Sequence, residues 1–415
     1  MSQPLAGKRI LMLLTVWPEP GSSAAGWRTM DVLEALGFAG AEISVASAAG
    51  PSPFAVDVSA LGFATRTLPM NDAAFDRAVG EIQPDIVIFD RFRTEEQFGW
   101  RVERAVPGAL RVIDSSDVHA LREARRRAVE KGEKENLWNA VALREMAAFY
   151  RSDLTLVISR AEMEILTTRY GLPPALLAYW PLLVGEEAIG EGQTWTERQH
   201  FCLIGNFRHP PNRDAIAWTR EVVWPHVRAL WPEAEGHVYG AYAGTARPEW
   251  HDPANGFVMK GRTPSVEDCL GRYRVNLALL RYGAGLKGKV LDGLRTGTPT
   301  LVTTCAAEGI GAPADWTGQQ ADDPLALAQR AVRLATDETL WQKARERGWS
   351  LLRREFAREI WRPRLGQILA RALAEKEDRR AGNPVGQMLR HHQHRSTEFM
   401  GRWIEAKNRG TQSGS

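Results

Sequence analysis

The sequence predicts an α/β protein made of two Rossmann-like, doubly wound domains. Short apolar runs of strand length alternate with helix-like segments in both halves of the chain. These runs are apolar without interruption, as in parallel strands that are covered on both faces. The alternation pauses once, in a segment rich in Gly and Glu at residues 185–199, which predicts a linker between the two domains.

The strand candidates fall into two groups of five. Those of the first domain, predicted to span 1–184, are 9–16, 41–47, 84–90, 110–113 and 154–159. Those of the second domain, predicted to span 200–360, are 201–205, 238–241, 256–261, 274–280 and 299–303. The longest helical pattern, 120–151, has a break at Gly132.

The last segment, 361–415, is predicted to be a helix followed by a basic, polar tail that belongs to neither core from about residue 378 onward. Within the tail, Phe399 precedes Trp403 by four residues and Met400 precedes Ile404 by four. This spacing predicts a short amphipathic helix over 397–407. Such a helix is expected to contact the protein itself, a partner or an anionic membrane surface.

Composition narrows the classes of function. The chain has 415 residues, a formal net charge of only +3 and 44% hydrophobic residues, which favours folded domains and gives no electrostatic reason for a nucleic-acid partner. Its three cysteines lie far apart, so no zinc site or redox dithiol is expected. Sparse cysteines and the lack of a membrane-spanning apolar run predict a cytoplasmic protein, with at most a peripheral contact to the inner face of the membrane.

The segment 281–297, RYGAGLKGKVLDGLRTG, is the strongest candidate for a binding site. It follows a predicted strand and leads into a helix, whose N-terminus favours phosphate. The candidate residues are Gly283, Gly285 and Gly288, which allow close backbone approach, and Lys287, Lys289 and Asp292, which supply charge. The alternative interpretation is a glycine-rich turn with solvated lysines.

Three segments resemble a known family, the retaining group 1 glycosyltransferases of GT-B fold. They are GAGLKGKVLDGLRTGTPTLVTT, then FCLIGNFRHPPNRD at the start of the second domain, and DSSDVH with LREARR in the first. The resemblance extends over most of residues 8–360. It implies transfer of a sugar, with retained configuration, from a UDP- or GDP-linked donor to a hydroxyl of a saccharide or glycoconjugate, as in surface polysaccharide synthesis.

The resemblance also implies donor-site residues, with two departures. Many members have two glutamates separated by seven residues; here Ala284 and Asp292 occupy those places. Many also place Arg and Lys after the glycine that opens the second domain, where this chain has Asn206 and Pro211 after Gly205. Arg208, Lys287 and Lys289 are therefore expected to hold the pyrophosphate, without a metal or other cofactor.

In the first domain, polar residues cluster where a strand leads into a helix. For Asp114 and Ser116 we favour helix capping. His119, with Asp117 and Arg122, is expected to face the cleft between the domains, where the resembled family has a histidine close to the donor sugar.

Two alternatives remain open beside the transferase. One is a sugar-nucleotide epimerase of GT-B shape, and the other is a non-catalytic scaffold, which Ala284 keeps possible. The loop at 18–26 is a further ligand candidate, but its spacing does not match the G-x-G-x-x-G fingerprint of dehydrogenases.

Overall fold

The protein consists of two parallel β-sheets, each flanked by helices, as the sequence predicts. The computed structural model describes residues 3–69, 71–190 and 192–412. The first sheet has seven strands in the order β3-β2-β1-β4-β5-β6-β7. Their bounds are β1 (Arg9–Leu14), β2 (Glu42–Ser47), β3 (Ala64–Thr67), β4 (Ile86–Asp90), β5 (Leu110–Asp114), β6 (Leu154–Val157) and β7 (Leu177–Tyr179).

Six helices connect the strands of the first sheet and cover its two faces. They are α1 (Ala24–Phe38), α2 (Ala73–Ile82), α3 (Arg91–Ala105), α4 (His119–Lys131), α5 (Ala140–Arg151) and α6 (Arg160–Thr168). The predicted break at Gly132 is confirmed, since this glycine ends α4 with a φ of 66°. We call this sheet and its six helices the first domain.

The second sheet has five parallel strands in the order β10-β9-β8-β11-β12. They are β8 (Gln199–Ile204), β9 (Gly236–Tyr239), β10 (Phe257–Gly261), β11 (Tyr273–Ala278) and β12 (Thr300–Val302). Its helices are α7 (Pro210–Trp218), α8 (Trp224–Leu230), α9 (Val266–Leu270), α10 (Gly288–Arg295), α11 (Thr304–Ala307), α12 (Pro324–Thr336) and α13 (Glu338–Glu355). We call this sheet and its helices the second domain.

The chain returns to the first domain after α13. The returning helices are α14 (Arg358–Ala374), α15 (Lys376–Ala381), α16 (Pro384–Leu389) and α17 (Arg395–Gln412). Trp361, Leu365 and Leu369 of α14 are buried in the core beneath α1. The later helices pack on its surface, α16 against α5 and α17 against α3. The tail after residue 378 is therefore helical and docked on the first domain, and a longer helix replaces the short one predicted over 397–407.

All ten predicted strands are present. The first sheet also contains two strands, β3 and β7, that the sequence pattern does not predict. β3 consists of four exposed residues at the sheet edge, so it has no apolar run, and β7 has only three residues. Neither length nor hydrophobicity distinguishes such strands from a loop. In the part of the chain that the structure describes, no helix is long and apolar enough to cross a membrane.

Candidate functional site

A cavity of about 850 Å³ lies between the two domains. It is lined by residues that follow β1, β4 and β5 of the first sheet and β8, β9 and β11 of the second. The carboxyl ends of both parallel sheets therefore open onto the same space, the usual place for ligands in such folds. Of the eleven candidate catalytic and donor-binding residues, nine line it: Asp117, Arg122, Gly205, Arg208, Gly283, Lys287, Gly288, Lys289 and Asp292.

Lys289 is the central charged group on the second-domain wall. It lies in the first turn of α10, and its Nζ donates to Asn212 Oδ1 at 2.5 Å. Asn212 in turn donates to the carbonyl of Asn206 at 2.9 Å. Burial lowers the pKa of Lys289 to about 8. Among the described residues Lys289 forms no ion pair, although the carboxylate of Asp292 is near enough to act against the effect of burial on its pKa.

Gly205 creates the room that Lys289 occupies. A Cβ at this position would lie 3.0 Å from Lys289 Nζ and 2.8 Å from Asn212 Cγ. The backbone of the next strand is equally close, because a Cβ on Gly240 would overlap the carbonyl oxygen of Gly205. Glycine at 205 and 240 therefore lets the β8 and β9 loops meet the N-terminus of α10.

Lys287 and Asp292 are held by partners within the protein. The buried Lys287 Nζ donates to the carbonyl of Gly285 at 2.9 Å and lies 3.7 Å from Glu308 Oε2. The Asp292 carboxylate pairs with Arg295 at 2.8 Å, one turn along α10. Burial nevertheless raises the pKa of Asp292, against the effect of Arg295.

Arg208 belongs to a contact that joins the two domains across the cavity. Its guanidinium carbon lies 3.7 Å from the centroid of the Tyr242 ring. The Tyr242 hydroxyl donates to Glu19 Oε1 at 2.8 Å, and Glu19 lies in the 18–26 loop of the first domain. The loop singled out in the sequence thus borders the cavity and contacts the second domain.

The three predicted glycines of the α10 segment contact different residues of the first domain. Gly285 does not line the cavity; its φ is 65°, and a Cβ there would lie 2.8 Å from Asp117 Cβ. Gly288 similarly faces the first domain, because a Cβ on it would lie 3.1 Å from Ala24 Cβ. The carbonyl of Gly283 accepts from Arg125 at 2.9 Å. All three positions therefore lie where the two domains touch.

Asp114 does not cap a helix, so the capping interpretation is wrong for this residue. Its carboxylate is buried and accepts from Arg28 at 2.7 and 2.9 Å. The same guanidinium also donates to the carbonyls of Trp180 and Pro181. Ser116 makes no capping bond either, since no side chain of this loop caps α4. Asp114 thus belongs to a buried ion pair with Arg28, which lies 86 residues earlier in the sequence and could not be recognised from the local pattern.

Two glutamates from other helices bind the N-terminus of α4. Glu145 of α5 accepts from the backbone N–H groups of His119 at 3.0 Å and Ala120 at 2.8 Å. Glu162 of α6 accepts from Val118 at 2.8 Å and, across the domain boundary, from Gly285 at 2.7 Å. Burial raises the pKa of both carboxyl groups. Sequence analysis missed both, because each lies in an ordinary amphipathic helix.

His119 does not line the cavity, unlike Asp117 and Arg122. Its ring is 8% exposed and packs edge-on against Phe92, with centroids 5.4 Å apart. Its Nε2 lies 3.2 Å from Asp117 Oδ1, and Asp117 also pairs with Arg122. Burial lowers the pKa of His119. The imidazole therefore reaches the cavity only through the carboxylate of Asp117.

His209 also borders the cavity and was not singled out in the sequence. Burial, with the nearby charges of Arg122 and Lys289, lowers its pKa to about 3, so it is neutral at physiological pH. The feature that could have identified His209 in the sequence is its position soon after β8, three residues before Asn212. Within the described residues no group of three or more His, Cys, Asp or Glu side chains is arranged to hold a metal ion.

Comparisons with known proteins address the second domain first. Residues 198–337 match the family model for glycosyl transferases group 1. No curated protein matches the chain. The matched range begins just before β8 and ends just after α12, so it includes the α10 junction and its lysines.

Solved structures match nearly the whole chain at low sequence identity. A glycosyltransferase from Rickettsia africae aligns with a TM-score of 0.63 and 11% identity over 89% of this chain and 99% of its own. HepE of Anabaena in complex with UDP-glucose aligns with a TM-score of 0.66 and 11% identity, over 87% of this chain and 99% of its own. Sucrose-phosphate synthase from Thermosynechococcus elongatus aligns with a TM-score of 0.64 and 14% identity, over 88% of this chain and 99% of its own.

These identities establish the fold, and the family model identifies the second domain. The two parallel sheets with their flanking helices match the GT-B arrangement of these glycosyltransferase structures. The resemblance to group 1 glycosyltransferases of GT-B fold is thereby confirmed, as a family match for the second domain and as a fold for the whole chain. Residues 198–337 therefore form a group 1 glycosyltransferase domain, and the chain as a whole has the GT-B fold of the glycosyltransferase structures that it matches.

Proposed function

We propose that this protein transfers a sugar from a nucleotide-sugar donor to a hydroxyl group of a saccharide or glycoconjugate acceptor. One observation carries the proposal: the Lys289 ammonium lies in the cavity at the N-terminus of α10 with a neutral amide as its partner. A helix N-terminus and a cation that forms no direct ion pair among the described residues together form a site for a diphosphate.

The donor diphosphate is proposed to bind Lys289 and the first backbone N–H groups of α10. Arg208 stands on the neighbouring wall and can reach the same anion by leaving the Tyr242 ring. Lys287 contributes less directly, because its ammonium already binds the Gly285 carbonyl and lies near Glu308. These cations stabilise the charge that develops on the leaving diphosphate, so a metal-independent reaction is proposed.

The remaining polar groups of the cavity are proposed to bind the ribose and the sugar. Asp292, one turn after Lys289, is proposed to accept from ribose hydroxyls with the carboxylate that Arg295 orients. Asp117 and Arg122, on the opposite wall, are proposed to contact the transferred sugar. Ala284 lines the cavity at the position where the resemblance implies a glutamate, so that sugar contact is proposed to come from backbone groups or Asp117.

Retention of configuration and a role in surface polysaccharide or glycoconjugate synthesis are proposed on the resemblance alone. A UDP-linked donor is the first to test, since HepE of Anabaena was solved with UDP-glucose. The product's anomeric configuration, read by NMR, tests retention. Equal activity with and without a chelator tests metal independence.

The binding experiment is titration calorimetry with UDP, GDP and inorganic pyrophosphate against the wild type, Lys289→Ala and Lys343→Ala. Lys343 is an exposed lysine of α13 outside the cavity and is the matched control. A charged contact contributes about 1.5–3 kcal/mol, so Lys289→Ala should weaken the preferred nucleotide about ten-fold or more. Equal affinities in the two variants would refute the assignment.

Turnover separates the transferase from its alternatives. Incubation with a UDP-sugar and candidate saccharides should release UDP and yield an extended saccharide. A sugar nucleotide converted to its epimer without nucleotide release would indicate an epimerase. Nucleotide binding without transfer or hydrolysis of any donor would indicate a scaffold.

A further inference from the structure

Helix α17 is docked on the first domain by its small and acidic residues. Gly401 lies against Trp100 of α3, since a Cβ there would be 3.0 Å from the indole ring. Glu405 pairs with Arg101, whose side chain is almost fully buried. Packing a helix through a glycine and a carboxylate is the reverse of the usual arrangement, in which the apolar side faces the core.

The apolar residues of α17 consequently face outward. Phe399 is 68% exposed, Met400 59% and Trp403 61%. Phe399 and Trp403 are four residues apart, so they lie one turn apart on the same side of the helix. We call these three residues the apolar patch. Met388 of the preceding helix, α16, is exposed as well.

The charge around the apolar patch is mostly positive. Between 388 and 412 the sequence has five basic residues, Arg390, Arg395, Arg402, Lys407 and Arg409, and two acidic ones, Glu398 and Glu405. Both acids are engaged by arginines: Glu398 by Arg402, with Arg104 at 3.7 Å, and Glu405 by Arg101. The ammonium of Lys407 lies 5.3 Å from the centroid of the Trp403 ring. The segment therefore has three more basic than acidic residues, and Arg402 and Lys407 lie exposed beside the apolar patch, whereas Arg390 is buried.

We propose that the apolar patch inserts into the headgroup region of a membrane that contains anionic phospholipids. Phenylalanine and tryptophan on one side of a helix, with basic residues beside them, are the features of helices that lie in the membrane plane. Basic residues near an anionic surface add electrostatic attraction, which a neutral protein partner would not supply. A second copy of the chain fits less well, because two such surfaces would repel each other.

This inference does not depend on the nucleotide site, and its test is independent of it. The full chain is mixed with phosphatidylcholine vesicles, with or without 30% phosphatidylglycerol, and bound protein is measured by flotation. The wild type should bind the anionic vesicles, bind neutral ones at least about ten-fold less, and be released by high salt. The combined variant Phe399→Ser, Met400→Ser, Trp403→Ser should lose vesicle binding while keeping the wild-type unfolding temperature and nucleotide affinity.

The matched control is Leu61→Ser, Leu230→Ser, Leu325→Ser, which replaces three exposed leucines elsewhere on the surface. This control should bind vesicles as the wild type does. Absence of wild-type binding to anionic vesicles, or equal binding by the patch variant, would overturn the proposal. A concentration-dependent dimer that the patch variant abolishes, without vesicle binding, would also overturn it and indicate self-association. Because flotation uses no nucleotide, failure here leaves the proposed transferase activity untouched.

Discussion

Two strand-to-helix junctions meet at the cavity, and they satisfy their polar groups in different ways. At the first-domain junction, between β5 and α4, Asp114 is paired with Arg28 and the first N–H groups of α4 are bound by Glu145. At the second-domain junction, between β11 and α10, the Lys289 ammonium donates to the neutral amide of Asn212. Asp114 and the first N–H groups of α4 thus have partners within the protein, whereas Lys289 has only a neutral partner.

The difference shows that polar density does not by itself identify a binding site. The DSSDVH segment is the more polar of the two in sequence, yet its first aspartate is structural. A charge that forms no direct ion pair, as at Lys289, is a better indication of a binding site, because burying an unpaired charge is costly. Variants of Asp114 and Lys289 should therefore fail differently, the first in stability and the second in binding.

The largest effect is expected for Asp114→Ala. This variant leaves the buried Arg28 guanidinium without its carboxylate, which typically costs about 3–5 kcal/mol of folding free energy. Thermal or denaturant unfolding should show this loss. Nucleotide affinity of the folded fraction should stay close to that of the wild type, because Asp114 does not line the cavity.

The control for Asp114→Ala is an exposed pair. Arg353→Ala removes the surface partner of Glu186 and should cost about 0–1 kcal/mol. Replacing both members of the buried pair, as Arg28→Met with Asp114→Leu, should recover part of the lost stability. A single-variant cost below about 1 kcal/mol would show that Arg28 finds other partners and that the first junction is less dependent on its ion pair.

A smaller loss of stability is expected for Gly285→Ala, at the contact between the two junctions. The added methyl meets Asp117 Cβ at 2.8 Å and requires a side chain at φ 65°. Gly132→Ala is the matched control, because Gly132 has φ 66° but nothing within 4 Å of a Cβ. Backbone strain of about 1–2 kcal/mol should be common to both variants, and any excess for Gly285→Ala measures the domain contact. Equal losses would mean that the domains can separate slightly without cost.

The sequence predicts the parts of the fold and site that depend on residues close together in the chain, and it misses those that depend on residues far apart. The ten predicted strands are continuous apolar runs, a local signal, and all are present. The α10 segment is recognisable because its glycines and lysines are contiguous. The partners of α4, Glu145 and Glu162, lie 26 and 44 residues from the N–H groups they bind, and no local pattern distinguishes them from solvated glutamates.

The orientation of His119 was unpredictable for the same reason. As the first residue of α4 it could face the cavity or the core, and packing against Phe92 decides for the core. The docked tail is a second case, since nothing local to α17 indicates that its acidic side would meet Arg101. Tertiary contacts thus determined the details that sequence periodicity left open.

His119→Ala is expected to lower kcat about ten-fold, equivalent to about 1.4 kcal/mol, with nucleotide affinity nearly unchanged. The effect would pass through Asp117, which His119 contacts at 3.2 Å, so His119 is a positioning residue. Asp117→Asn should therefore reduce kcat at least as much. His226→Ala, at an exposed position of α8, is the control. Transfer at the wild-type rate by His119→Ala would mean that the ring only fills space beside Phe92.

The smallest effect, and the most specific to the second junction, is a pH dependence of nucleotide binding. Burial lowers the pKa of Lys289 to about 8, so the free protein carries the ammonium below pH 8 and loses it above. A diphosphate binds the charged form, and affinity should therefore be highest near pH 7 and fall by up to about ten-fold between pH 7 and 9. A phosphate monoester has its second pKa at about 6, so the ligand's charge is nearly constant over this range. Lys289→Arg should remove the dependence, because a guanidinium stays charged, and the same slope in that variant would assign the titration to another group.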